Sequence, residues 1–222
     1  MMKEKFIPAL RYSWLTKIYD PIIQHTMPEE KFKKQLISQA NISENARVLD
    51  FGCGSLTLSL MAKRSNPAAD VHAVDVDEKI LKIAEEKQRE AQADISIQRY
   101  EGRILPYQSN SFDRVISSLV FHHLSREQKM NALYEIHRVL KPGGEIHIAD
   151  WGKAKNVFMR MAFFLIQFLD GFKTTTDNVK GLIPSFMRQA GFAEAIETSQ
   201  YQTVFGTLVL YKGKKSMRET IL

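Results

Sequence analysis

Three groups of residues in this chain have types and spacing that suit chemistry. The first is VLDFGCGSLTLSL, residues 48–60, where Asp50, Gly52, Cys53 and Gly54 stand between two apolar runs. A glycine turn between a strand and a helix lets the backbone approach a ligand closely and adopt dihedrals that side chains resist. The second is Asp75, 21 residues beyond Gly54 at the end of the next apolar run, where a carboxylate can grip two ribose hydroxyls. The third is the pair His122 and His123, imidazoles able to take a proton near neutral pH. A dinucleotide fingerprint would need glycine at position 57, which is Thr57, and a phosphate loop would need Gly-Lys-Ser/Thr, which is absent. The turn therefore suits a compact adenosine ligand with a ribose and no pyrophosphate. Cys53, the single cysteine, reads as a small residue fitting a crowded turn, because no base accompanies it in the sequence.

These residues need a scaffold that brings strand ends together. Arg47 to Phe51 reads as a short buried strand and Leu56 to Arg64 as the helix after the turn. Val71 to Asp75, Ile95 to Gln98 and Phe112 to Ser118 are three more strands, and a charged helix from Asp77 to Ala91 carries Glu78–Lys82 and Glu85–Arg89 at i,i+4 spacing. Ser125 with Gln128 forms a capping box opening a helix that ends at Leu140. Lys141-Pro142-Gly143-Gly144 is expected to turn into a strand from Glu145 to Asp150. A helix near Val179 to Ala190 and strands near 193–198 and 203–211 complete the series, after an N-terminal helical segment over 1–40 whose last helix starts at Pro28-Glu29-Glu30. Alternating strands and helices predict an α/β, doubly wound, mainly parallel seven-stranded sheet with helices on both faces, one domain over residues 1–222. Ligands of such sheets bind beyond the carboxyl ends of the strands, at the switch point.

Composition narrows the classes. Hydrophobic residues make up 44% and charged residues 25% of 222, values of an ordinary globular protein. The opening MMKEKFIP has no apolar stretch of the secretory kind, and a lone cysteine suits a reducing compartment, so a cytoplasmic protein is expected. The histidines and cysteine have no metal-ligand spacing, so no metal is expected. Of the formal charge of +6, residues 1–20 hold +2 and residues 212–222 hold +3. A basic groove across the body is not indicated, the last eleven residues read as a solvated tail, and no nucleic-acid partner is expected.

VLDFGCG, an acid after the second strand, LPYQSNSFDRVISSLVFHHL and RVLKPGG occur in that order. The chain resembles the class I S-adenosylmethionine-dependent methyltransferases, most of all their small-molecule branch acting on quinones, lipids and natural products. The motifs span residues 44–151 and, more loosely, run to Tyr211. The resemblance implies a Rossmann-like sheet, S-adenosyl-L-methionine as cofactor and a small, largely apolar acceptor. It places Asp50, Gly52, Cys53 and Gly54 around the cofactor's methionine and ribose, Asp75 on the ribose hydroxyls and Val76 under the adenine. Glu101, Gly102 and Arg103 stand where the family has an Asp-Ala pair facing the adenine amino group, and Ser118 and Leu119 would line the methionine end. His123 joins the cofactor's surroundings, and His122 is the candidate base. Leu56 replaces the family's third glycine, so the turn is expected to widen or the cofactor to tilt.

From Val157 to Leu169 only Arg160 and Gln167 are polar. Thirteen residues are too few to span a bilayer, which leaves peripheral membrane contact open. The stretch suits either a buried helix or, within a helical insert over about 153–178, a cap on an apolar acceptor pocket, with Tyr12, Trp14 and Tyr19 able to close the same pocket. Rival readings are a nicotinamide oxidoreductase, a nucleic-acid methyltransferase and a cofactor-binding protein without turnover.

Overall fold

The computed structural model describes residues 29–153, 172–203 and 206–217. Helix α1 (Glu29–Ala40) leads into β1 (Arg47–Phe51), the glycine turn and α2 (Thr57–Ser65). Strand β2 (Asp70–Asp75), α3 (Glu78–Glu90) and β3 (Ile95–Arg99) follow. Then come β4 (Phe112–Ser118), a single 3₁₀ turn (Phe121–His123), α4 (Arg126–Val139) and β5 (Leu140–Trp151). Helices α5 (Phe172–Val179) and α6 (Ile183–Gln189) precede the hairpin of β6 (Phe192–Thr203) and β7 (Gly206–Lys215). The sheet has seven strands in the order β3-β2-β1-β4-β5-β7-β6. All neighbours are parallel except β7, which runs antiparallel to β5 and β6. Strand order reverses between β1 and β4, and the crevice of a doubly wound sheet opens there.

The two-residue period of the strands builds both faces. Val48, Val71, Ile116 and Leu210 point to the side of α1 and α2, while Leu49, Val74, Val115 and Tyr211 point to the side of α4 and α6. Asp77 caps α3 through Lys79 N–H, and the Ser125–Gln128 capping box starts α4 as its spacing predicts. Among the described residues no helix is long and apolar enough to cross a membrane.

Three expectations need correction. Lys141 to Gly144 is no turn ahead of a strand; it is a bulge inside β5. Phe112 pairs with Leu140 and Arg114 with Glu145, so two steps along β4 match five along β5. Pro142 has no N–H for a ladder, and a bulge absorbs it. The helix expected from Val179 to Ala190 starts later, at Ile183, because α5 ends at Val179, Gly181 takes φ +69° between the two helices, and Pro184 sits in the first turn of α6. As far as Lys215, the basic run after Tyr211 is not a solvated tail but part of β7, and residues 218–222 lie outside the described residues. Lys212 pairs with Glu145 at 3.0 Å, and buried Lys215 donates to the carbonyls of His137 and Leu140 and to Asn110 Oδ1. Continued pairing with β5 and β6 holds these lysines in β7, and the Lys215 ammonium caps carbonyls at the end of α4. The oily stretch 157–169 and Tyr12, Trp14 and Tyr19 lie outside the described residues.

Candidate active site

The glycine turn begins where β1 ends. Gly52 N–H and Cys53 N–H both donate to Val74 O, at 2.9 and 3.0 Å, tying the turn to β2. Gly52 has φ +72°, and a Cβ added there would meet the Val120 side chain at 2.4 Å. Gly54 has φ +49°, and a Cβ added there would meet no atom of the described residues within 4 Å. One glycine thus makes room for the protein's own packing, and the other borders space that the described residues leave open at the switch point. At Leu56 the N–H donates to Cys53 O at 2.9 Å, and the residue takes φ +70° with its side chain fully buried in the core on the α2 side. The leucine adopts the left-handed conformation that a third glycine would hold, at a backbone cost of about 1–2 kcal/mol.

Asp75 closes the turn from β2. Its Oδ2 accepts Gly54 N–H at 2.9 Å and its Oδ1 accepts Asp77 N–H at 3.0 Å. A carboxylate has about four acceptor positions, so each oxygen retains a lone pair for a ligand hydroxyl. Beyond Asp75, Val76 and Gly102 approach each other, with Val76 Cγ1 3.7 Å from the position of a Gly102 Cβ. Glu101 and Arg103 are exposed; the Glu101 carboxylate meets Arg99 at 3.5 Å, and Arg103 offers its carbonyl to Asn131. Asp50 is buried, with Oδ2 2.5 Å from the Ser59 hydroxyl, and burial pushes its carboxyl up to about 6 against that hydrogen bond and the charge of Lys33. Its side chain joins the turn to α2. Cys53 is buried, and burial together with the Asp50 and Asp75 carboxylates drives its thiol far above the ordinary range. Such a thiol is no nucleophile at neutral pH.

Across the crevice, β4 ends at Ser118, whose Oγ is buried with no partner. Leu119 has φ +59° and donates its N–H to Ala149 O at 2.8 Å. The chain then turns as a 3₁₀ helix, so strand alternation does not separate His122 from His123; their ring centroids are 3.9 Å apart. His122 is 4% exposed, and its Nδ1 lies 2.8 Å from Asp150 Oδ1. A carboxylate can only accept, so Nδ1 donates this hydrogen bond. His123 is half-buried, and burial, then the neighbouring His122 and Lys129, hold it well below the usual histidine range.

Two residues of this side were not singled out from sequence. Asp150 is fully buried at the end of β5 and accepts the N–H groups of Phe121, His122 and Trp151 besides the imidazole. Asn178 of α5, fully buried, donates from Nδ2 to Asp150 Oδ1 and Trp151 O, both at 3.2 Å. An acid closing the apolar strand EIHIAD was the available sign for Asp150; nothing in the sequence pattern marked Asn178. No metal-binding cluster occurs among the described residues.

A family model described as a methyltransferase domain matches residues 48–144. A demethylmenaquinone methyltransferase of Listeria welshimeri is 30% identical over 140 residues, 59% of this chain, and the chain spans only 58% of that relative's length. A demethylmenaquinone methyltransferase of Symbiobacterium thermophilum is 24% identical over an alignment of 243 positions, covering 96% of this chain and 94% of the relative. The crystal structure of a SAM-dependent methyltransferase from Aquifex aeolicus superposes with a TM-score of 0.64 at 21% identity, covering 94% of this chain and 99% of that one. At that identity the likeness establishes the fold.

Proposed function

We propose, from the match of residues 48–144 to a family model described as a methyltransferase domain, that the protein moves the methyl group of S-adenosylmethionine to a small, largely apolar acceptor. The relatives are named for demethylmenaquinone, and a quinol is the first acceptor class to test. The observation that carries the reading is Gly54, left-handed beside open space, with its N–H on a carboxylate that keeps lone pairs to spare.

The residues at the crevice fit the cofactor. Asp75 would take the ribose hydroxyls, Gly54 would let the chain pass close to the methionine and ribose, and the facing pair Val76 and Gly102 would hold the adenine. Ser118, with its buried and unpartnered hydroxyl, and Leu119 would border the methionine end, with His123 beside them. Asp50 supports the turn through Ser59, and Cys53 fills it. Glu101, engaged with Arg99, and Arg103 border the adenine region from the surface. Bound S-adenosylmethionine supplies a methyl group already activated on a sulfonium.

The chain's own work is alignment of the acceptor and exclusion of water. His122 accepts the proton that a hydroxyl or acidic carbon of the acceptor must lose, and the hydrogen bond from Nδ1–H to Asp150 holds the ring in the needed tautomer. Residues 157–169, whose composition suits an apolar acceptor wall, would cap the pocket within the single domain.

Calorimetric titration with S-adenosylhomocysteine and with NAD, followed by incubation of labelled cofactor with quinols, phenols, lipids and amines, tests the reading. Binding of the homocysteine product and label transfer to an apolar acceptor are expected. Tight NAD binding with no response to S-adenosylhomocysteine would overturn it.

A further inference from the structure

The hydrogen bonds around Asp150 extend beyond the imidazole. Its two oxygens receive five N–H groups: Phe121 N at 2.7 Å and His122 N at 3.3 Å on Oδ2, and His122 Nδ1 at 2.8 Å, Trp151 N at 2.7 Å and Asn178 Nδ2 at 3.2 Å on Oδ1. Three of these come from the backbone and are fixed by the ends of β4 and β5. The fourth is His122 itself. The fifth, from α5, is the only other side-chain donor among the described residues. Imidazole and amide share one oxygen, so each weakens the other's claim on its charge.

Asn178 is kept there against a physical cost. It is fully buried, and its Oδ1 has no hydrogen-bond partner, an unfavourable state for an amide oxygen. A buried leucine of equal size would avoid that cost. What the amide gives in exchange is its donor, aimed at Asp150 Oδ1 and Trp151 O.

We propose that Asn178 is a positioning residue for the base: through Asp150 it limits the pull of the carboxylate on His122 and so keeps the imidazole ready to accept a proton near neutral pH. The inference rests on the reading of His122 as the base. Removing the amide leaves more carboxylate charge for the Nδ1–H bond, which favours imidazolium. Among the described residues, the other charged and titratable groups near the pair are His123 in the same 3₁₀ turn, Lys129 and Arg126 on α4, Asp177 on α5 and Tyr211 on β7. Lys129 lies fully buried between Leu124 O and Thr174 O, and Asp177 holds Arg126 at 2.5 Å. None of these contacts involves the Asn178 amide, so its replacement leaves them in place.

The test is the titration of His122 in the full-length, isotope-labelled protein, followed by NMR in wild type and Asn178→Leu, beside the pH profile of methyl transfer. The expected result is a rise of the His122 midpoint by ~0.5–1 pH unit, a fraction of the shift an unscreened carboxylate produces. The acid limb of the rate moves by the same amount, and Asn178→Gln, which keeps an amide, restores part of it. An unmoved midpoint in the folded leucine variant overturns the inference. A midpoint that rises while the acid limb stays put supports the link through Asp150 and removes His122 from the role of base, which separates the two readings. Should Asn178→Leu not fold, Asn178→Ala gives the same readout, since it withdraws the donor without filling its place.

Discussion

Replacing each glycine of the turn by alanine separates what the fold requires from what the ligand requires. Both positions are left-handed, φ +72° at Gly52 and φ +49° at Gly54, so either alanine costs about 1–2 kcal/mol in the backbone. At Gly52 the new methyl also runs into Val120 at 2.4 Å, and overpacking adds about 1–3 kcal/mol. For a domain of this size 1 kcal/mol moves Tm by about 2–4 °C. Gly54→Ala should therefore lower Tm by about 2–8 °C, and Gly52→Ala should lower it further. Affinity for S-adenosylhomocysteine should follow the opposite order. The Gly54 methyl enters the open space assigned to the cofactor and should weaken binding at least about tenfold, or 1.4 kcal/mol. The Gly52 methyl points into protein, and the folded fraction of that variant should bind within a few-fold of wild type. Differential scanning fluorimetry and calorimetric titration give both quantities on one preparation. A Gly54→Ala protein that binds the homocysteine product as tightly as wild type would refute the assignment of that space.

Asp75→Ala removes a charged acceptor of hydrogen bonds worth about 1.5–3 kcal/mol each, so titration should show cofactor affinity down at least about tenfold with Tm changed much less. His122→Ala should lower turnover by about 10²–10⁴-fold with cofactor affinity nearly unchanged, and the low-pH fall of the rate should vanish with it; a normal pH profile in that variant would end its assignment as base. Glu145, held by His147, Lys212 and Arg114 against its own burial, titrates at about 2 in the folded chain. Its folded value lies below the unfolded 4.5, so its contribution is complete above pH 4.5 and is lost as the pH falls from there toward 2. Glu145→Gln should flatten the acid-denaturation curve in that window, as followed by circular dichroism.

The alternating elements were legible because the strands of a sheet covered on both faces are short apolar runs set off by polar turns, and β1 and β4 begin and end where those runs do. Capping gave the start of α4 for the same reason: Ser125 and Gln128 act on the backbone next to them. The bulge at Lys141 to Gly144 was hidden because proline and two glycines signal a break of any kind. Only the pairing with β4 decides that the chain carries on in the same sheet. The continuation of β7 through Lys215 was hidden likewise, since three lysines in four residues resemble a tail until Glu145 and the carbonyls at the end of α4 are brought alongside. In the site, the turn and Asp75 could be read because their function lies in local conformation and spacing. The Asp150–His122–Asn178 group could not, because its members come from three elements up to 56 positions apart and meet only after the sheet forms.

Two leucines show what the crevice demands of its scaffold. Leu56 and Leu119 both take positive φ, at +70° and +59°, one opening α2 and the other closing β4, on the two sides of the switch point. Each such residue costs about 1–2 kcal/mol, yet neither is free to relax. Leu56 is fixed by its bond to Cys53 O, by Leu60 N–H on its own carbonyl and by complete burial; Leu119 is fixed by Ala149 O and by packing on the same core cluster. A glycine at either place would remove the backbone cost and also the apolar anchor. At Leu56 the exchange is clearly unfavourable, since a fully buried leucine contributes about 2–5 kcal/mol. Leucine in a glycine's conformation is thus a stable solution, in which side-chain burial and two backbone hydrogen bonds hold the turn at position 56.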